Sequence, residues 1–94
     1  NAEARYRLAM MLARGEYRDK AVEQLRAAIE ADPGHVQALT ALGIHELDMG
    51  NFEESVTLLE RAVAAGPDYA LAQDALTKAQ ARLTAIQSYP PTWQ

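Results

Sequence analysis

The sequence predicts an all-α protein made of antiparallel helix pairs, and three observations lead to this fold class. The 94 residues include 19 alanines and 11 leucines, whereas Val and Ile together contribute only 7. Alanine and leucine favour helices, while β-branched residues favour strands. Two prolines, Pro33 and Pro67, separate stretches of helical apolar spacing and do not interrupt them. These prolines are 34 residues apart, which indicates an internal repeat.

Residues at this offset of 34 match in size along two successive copies, large with large and small with small. The matching pairs are Leu8 with Leu42, Ala9 with Gly43, Ala21 with Ser55, Leu25 with Leu59, Ala28 with Ala62, and Ile29 with Val63. The glycine turns, Gly15-Glu16-Tyr17 and Gly50-Asn51-Phe52, match instead at an offset of 35. This shift predicts that the turn differs by one residue between the copies.

Each copy contains two helical stretches separated by its glycine turn, so the predicted order is helix, turn, helix, twice over. The first helix of the second copy carries the apolar residues Leu39, Leu42, Ile44 and Leu47. The second helix of that copy carries Val56, Leu59, Ala62 and Val63. Asn51 stands where its side chain can cap this second helix, and Glu54 completes a capping-box-like pair three residues later.

A fifth helix follows Pro67, with Asp68 as its predicted cap and an end near Gln87. Its apolar stripe recurs every three or four residues, which places it on one helix face, at Ala72, Leu76, Ala79, Leu83 and Ile86. The predicted organisation is one domain with a first repeat over 1–34, a second over 35–68, a capping helix over 69–88 and a Pro/aromatic tail over 89–94. The tail contains Pro90, Pro91 and Trp93, and we expect it to dock on the folded chain or on a neighbouring molecule.

Glycine inside a helix lowers stability by about 1 kcal/mol relative to alanine, so we expect it only where a facing helix leaves no room for a side chain. Gly43 therefore predicts a close contact between two helices. The expected partner is the second helix of the same copy, near Ser55 and Ala62.

The pattern as a whole resembles the tetratricopeptide repeat (TPR) family over roughly residues 2–88. The resemblance rests on Leu42-Gly43, Gly50-Asn51-Phe52, Ser55, Leu59, Ala62 and Pro67. The chain departs from the aromatic signature, because Arg5 and Leu12, and then Leu39 and Glu46, stand where the family favours Trp and Tyr. The resemblance implies a short right-handed α-solenoid whose last helix closes the array.

The resemblance also implies a protein–protein interaction scaffold, part of a larger protein, that binds a peptide or helix with apolar anchors. TPR proteins use a concave groove lined by the first helix of each repeat. Mapped onto this chain, the candidate partner-binding residues are Tyr6, Met10, Gln37, Thr40, Ile44, Leu47, Leu71, Asp74 and Lys78. Glu3, Arg14 and Asp48 join the same surface. The other interpretation, that packing between repeats buries these side chains, stays open.

One TPR subclass holds the C-terminal carboxylate of chaperones with Lys, Asn and Arg. The matching positions here are Tyr6, Met10, Ala41, Leu71 and Ala75. None of these side chains can hold a carboxylate, so we do not expect a carboxylate-clamp chaperone binder.

The alternative function is a structural unit that forms homo-oligomers. Repeat arrays usually need three or more repeats, and two repeats with a cap bury only a modest core. The expected assembly edge is the first helix, where Tyr6, Met10, Met11 and Leu12 have no preceding repeat to pack against.

Composition argues against several other classes. The 13 acidic and 9 basic residues give a net charge of −4, which disfavours nucleic acid as a partner. No apolar run is long enough to span a membrane, so we expect a soluble protein, with the cytoplasm slightly favoured. The chain has no cysteine, and His35 and His45 lack a third ligand or a catalytic partner. We therefore expect no catalytic residue, no metal and no cofactor.

Overall fold

The computed structural model describes residues 1–88, which form five α-helices and no strand. The helices are α1 (Ala2–Arg14), α2 (Arg18–Ala31), α3 (Val36–Asp48), α4 (Phe52–Ala65) and α5 (Ala70–Ser88). Each helix packs on the one that follows it, and α5 also packs on α3. Short connections of this kind join antiparallel neighbours. The predicted all-α, TPR-like arrangement of helix pairs is confirmed, whereas the predicted docking of the tail concerns residues 89–94, outside the described ones.

Small buried residues bring these helices close together. Three buried apolar side chains lie on each of α2, α3, α4 and α5 and one lies on α1. All are alanines or leucines, namely Ala9, Ala21, Leu25, Ala28, Ala38, Leu39, Leu42, Leu58, Leu59, Ala62, Ala72, Ala75 and Ala79. Because interaxial distance depends on the side chains at the contact, buried alanines allow the shorter separations. Alanine therefore has two effects in this chain: it favours helix formation, and its small side chain allows the helices to pack closely.

The close helix contact that the sequence predicts at Gly43 is present. A Cβ atom on Gly43 would lie 2.6 Å from Cγ of Leu59, a buried residue of α4. Beside it, the Ser55 hydroxyl donates a hydrogen bond of 2.7 Å to the carbonyl oxygen of Gly43. The facing helix is thus the predicted one, and the contacting residues are Leu59 and Ser55. Ala9 and Ala21 occupy the matching positions of the first pair, so this hydrogen bond belongs to the second pair alone.

The prediction that the two turns differ in length is wrong. Three residues separate the helices in both pairs, 15–17 in the first and 49–51 in the second, so the offset of 34 is kept throughout. The glycines occupy different places in these turns. Gly15 is the C-cap of α1 with φ −85°, whereas Gly50 lies one residue beyond the C-cap of α3 and adopts φ +85°. Gly50 thus takes the left-handed conformation that favours glycine.

The predicted side-chain cap at Asn51 is also wrong. Asn51 occupies the N-cap position of α4, but its side chain makes no capping hydrogen bond. Its Nδ2 atom donates instead to Oε2 of Glu46, 3.2 Å away, because Glu46 is a buried carboxylate at the end of α3 that needs a donor. Other helices do carry side-chain caps: Asn1 accepts from the amide of Ala4, and Nδ1 of His35 accepts from the amide of Ala38.

Candidate functional site

The largest set of predicted site residues meets in a valley between α3 and α5. We call it the α3–α5 valley; it has a volume of about 540 Å³ and is lined by Ile44, Leu47, Asp48, Leu71, Asp74, Ala75, Lys78, Ala81 and Arg82. It forms because α3 and α5 run side by side, each packed on α4. Five of the nine candidate partner-binding residues line it, namely Ile44, Leu47, Leu71, Asp74 and Lys78, together with Asp48, which was expected on the same surface.

The middle of the valley is apolar. Ile44 and Leu47 are half-buried and pack against the cluster of Leu59 and Ala79, so they contribute to the fold as well as to the valley surface. Leu71, in the first turn of α5, is 51% exposed. Leu71 therefore offers the largest accessible apolar surface in the valley, without a comparable role in the core.

Four charged side chains surround this apolar centre. Asp48 lies at the end of α3, and Asp74, Lys78 and Arg82 follow one another at four-residue spacing along α5. All four are exposed, and none forms an ion pair with another residue of the described range 1–88. The valley therefore combines apolar surface with charges of both signs that are open to a partner.

Met10 lies in a second, smaller concavity, which we call the α1–α3 cleft. Its volume is about 200 Å³, and its walls and floor are formed by Met10, Ala13, Arg18, Ala21, Val22, Leu25, Ala41, Ile44, His45 and Asp48. Ile44 and Asp48 border both concavities. The cleft and the valley are therefore adjacent parts of one surface.

The remaining three predicted residues lie apart from the valley. Thr40 is 1% exposed, and its hydroxyl donates to the carbonyl oxygen of Val36 at 2.8 Å, so packing buries it and it offers no side chain to a groove. Gln37 is exposed and lines a separate concavity beside Tyr69. Tyr6 is half-buried, and burial raises the pKa of its phenol.

Tyr6 packs on the ring of His35, with the two ring centroids 5.3 Å apart, and this contact helps to join α1 to α3. Nδ1 of His35 accepts from the Ala38 amide, so Nε2 carries the hydrogen and donates to Oε1 of Glu3 at 2.9 Å. Hydrogen bonds from Arg7 and from His35 hold the pKa of Glu3 below its usual range. Nδ1 of His35 therefore caps α3, while Nε2 and the ring face link the start of α3 to α1.

The other histidine has no such network. Nε2 of His45 lies 3.9 Å from Oε1 of Glu46. Within residues 1–88, no group of three or more His, Asp or Glu side chains is placed to hold a metal ion. No helix in the same range is long and apolar enough to cross a membrane.

Arg82 is the charged valley residue that the sequence did not predict. It follows Lys78 by one helical turn on the same face of α5, so extending the four-residue spacing by one step would have found it.

Comparison with known proteins agrees with this architecture. The family model described as "Tetratricopeptide repeat" matches residues 11–83. A search of curated proteins found no match to the chain. Tetratricopeptide repeats typically mediate protein–protein interactions, and they are generally non-catalytic scaffold domains. The match covers most of the sequence and all five helices in whole or in part, and the chain therefore belongs to the tetratricopeptide repeat family.

Proposed function

We propose that this chain is a non-catalytic protein-binding module that holds a partner peptide or helix in the α3–α5 valley. The observation that carries the proposal is the exposure of Leu71 in a concave surface bordered by four charges that form no ion pair within residues 1–88. Apolar patches rimmed by polar residues are typical of protein interaction sites. The chain is a scaffold in this proposal, divided into repeats at 1–34 and 35–68, a cap at 69–88 and a tail at 89–94.

The chemistry of the surface limits the kind of partner. The valley can bury an apolar side chain against Leu47, Leu71 and Ala75, which favours a partner with apolar anchors. The positions of the chaperone-binding carboxylate clamp hold Tyr6, Met10, Ala41, Leu71 and Ala75, so a free C-terminal carboxylate is not the feature recognised. The net charge of −4 disfavours nucleic acid.

The test is selection from a displayed library of random peptides against the chain, followed by affinity measurement of the selected peptides. Leu71→Glu places a charge where the partner's apolar anchor would lie, and we expect affinity to fall at least about tenfold. Ile86→Glu is the matched control, because Ile86 is exposed to a similar degree on the same helix and lies outside the valley. Selected peptides that bind both variants equally well would contradict the proposal.

A second candidate function is homo-oligomerisation through α1. Leu8 is 42% exposed, whereas Leu42, its counterpart in the second repeat, is buried in the core, and Met11 is the most exposed of the large apolar residues described. Tyr6, Met10 and Leu12 pack partly against the core, so the accessible apolar face of α1 consists of Leu8 and Met11. Association would bury this face.

Sedimentation over a wide concentration range tests the second candidate. An oligomer that Met11→Glu dissociates, and that Met49→Glu leaves intact, would support it; both methionines are exposed to a similar degree. A monomer at every concentration would exclude it.

A further inference from the structure

The charges along α5 form a row with a defined order. Asp74, Lys78 and Arg82 lie one turn apart on the same helix face, so neighbouring members are separated by about 6 Å along the axis. Residues four apart are neighbours on a helix surface and can form ion pairs. Asp74 and Lys78 have this spacing, but they form no ion pair with each other. The row therefore presents one acidic and then two basic side chains to whatever lies in the valley.

The backbone of α3 and α5 disfavours one class of ligand on the valley floor. Both elements are continuous helices, so the backbone groups along the middle of the valley are hydrogen-bonded within the helix, and groups without an intrahelical partner occur only in the first turn of α5, at Leu71, and in the last turn of α3, at Leu47 and Asp48. An extended peptide buried along the valley would find few backbone partners for its own N–H and C=O groups, which is costly. A helix satisfies its own backbone and needs only side-chain contacts.

The same two helices already hold one helix. α4 packs against both α3 and α5, yet no residue of α4 lines the valley, so the valley is a second inter-helix surface of the same pair. The valley extends from Leu71 to Arg82 on α5, which is about 16 Å or three helical turns. A helical segment of similar length can contact α5 along this stretch and α3 at Ile44, Leu47 and Asp48.

Resting on the proposed function, we propose that the partner presents an amphipathic α-helix along the α3–α5 valley, with two acidic residues one turn apart that contact Lys78 and Arg82. Its apolar stripe covers Leu47 and Leu71. Asp74 disfavours a third acidic residue in the same row, and Asp48 favours a basic residue on the opposite edge of the partner helix. This arrangement places an opposite charge beside Lys78, Arg82 and Asp48 and keeps like charge away from Asp74.

The experiment uses two synthetic helical peptides of about 20 residues with the same leucine stripe. The acidic-edge peptide carries two Glu residues four positions apart beside the stripe, and the basic-edge peptide carries Lys at these two positions. Binding to the full chain is measured by fluorescence anisotropy at about 0.05 M and about 1 M salt. We expect the acidic-edge peptide to bind about tenfold more tightly at low salt, with most of the preference lost at high salt.

Charge reversal in the protein provides the decisive comparison. The double variant Lys78→Glu with Arg82→Glu should reverse the preference, so that the basic-edge peptide binds more tightly. Lys20→Glu, an exposed residue of α2 outside the valley, is the matched control and should leave the preference unchanged. A proline in the middle of the acidic-edge peptide should abolish binding, because it interrupts the helix.

Three results would overturn the inference, and they differ in what they say about the proposed function. If both peptides bind with equal affinity and Leu71→Glu weakens both, the charge row does not select the partner, although the valley remains a binding site. If the proline-containing peptide binds as tightly as its parent, the ligand is not helical. If no library peptide and neither synthetic peptide shows binding that depends on Leu71, the inference and the proposed function both fail.

Discussion

Gly43→Ala tests how closely α3 and α4 approach each other. The new Cβ atom would lie 2.6 Å from Cγ and 2.7 Å from Cδ2 of Leu59, closer than nonbonded carbons can approach. Leu59 is fully buried, so it has little free space into which it can move. The side chain must change rotamer or the two helices must separate.

Two opposing contributions set the expected magnitude. Alanine is favoured over glycine within a helix by about 1 kcal/mol. Overpacking of a well-packed core costs about 1–3 kcal/mol. We therefore expect Gly43→Ala to lower the free energy of unfolding by about 1 kcal/mol and Tm by about 5 °C in a domain of this size. The larger Gly43→Leu should cost about 1–3 kcal/mol net.

A double-mutant cycle measured by urea unfolding at low temperature isolates the contact. Leu59→Ala removes the atoms that the new Cβ would meet, at a cost of about 2–5 kcal/mol. In that background, Gly43→Ala should instead stabilise the protein by up to about 1 kcal/mol, because only the helix preference remains. If Gly43→Ala stabilises the parent chain as much as the Leu59→Ala variant, the close contact does not limit the packing.

Three further substitutions test other local features. Gly50→Ala should cost about 1 kcal/mol from its positive φ alone, since no atom lies within 4 Å of the new Cβ, whereas Gly34→Ala should cost less; equal costs would refute the backbone explanation. His35→Ala removes the cap of α3 and the link to α1 and should cost about 1–2 kcal/mol by thermal unfolding, with Gln37→Ala, on the exposed side of the same turn, nearly neutral. The lowered pKa of Glu3 gives a stabilisation that is present above its ordinary pKa of 4.5 and is lost as pH falls through the lower, folded-state value. In that acidic range, the free energy of unfolding should therefore depend less on pH in Glu3→Gln than in the parent chain. The same pH dependence in both proteins would show that the hydrogen bonds to Glu3 do not survive in solution.

The helices were predictable because their signals are local. Proline placement, apolar spacing and the offset of 34 each depend only on residues close together or on simple periodicity. The errors arose where a residue has two possible partners. Asn51 is a good N-cap residue in any sequence, and only the fold places the buried Glu46 within its reach. Gly15 and Gly50 begin similar turns in the sequence, but their φ angles differ, and the sequence alone does not determine φ.

The valley was predictable in part for the same reason. Leu71, Asp74 and Lys78 lie on one face of one helix, and helical spacing alone brings them together. Thr40 has the same kind of position on α3, but its burial depends on how the neighbouring helices pack against it. No spacing rule contains that information, since it depends on the tilt and separation of whole helices.

The uneven packing of α1 has a consequence for local opening of the native state. α1 packs mainly on α2, whereas α3 is held by α2, α4 and α5. A helix held by one principal neighbour opens at a lower free energy than a helix held by three, so amide hydrogens of α1 should exchange before those of α3. All residues that line the valley belong to α3 and α5. Fraying of α1 therefore leaves the valley assembled, and a partner bound there would protect the amides of α3 and α5 without slowing exchange in α1.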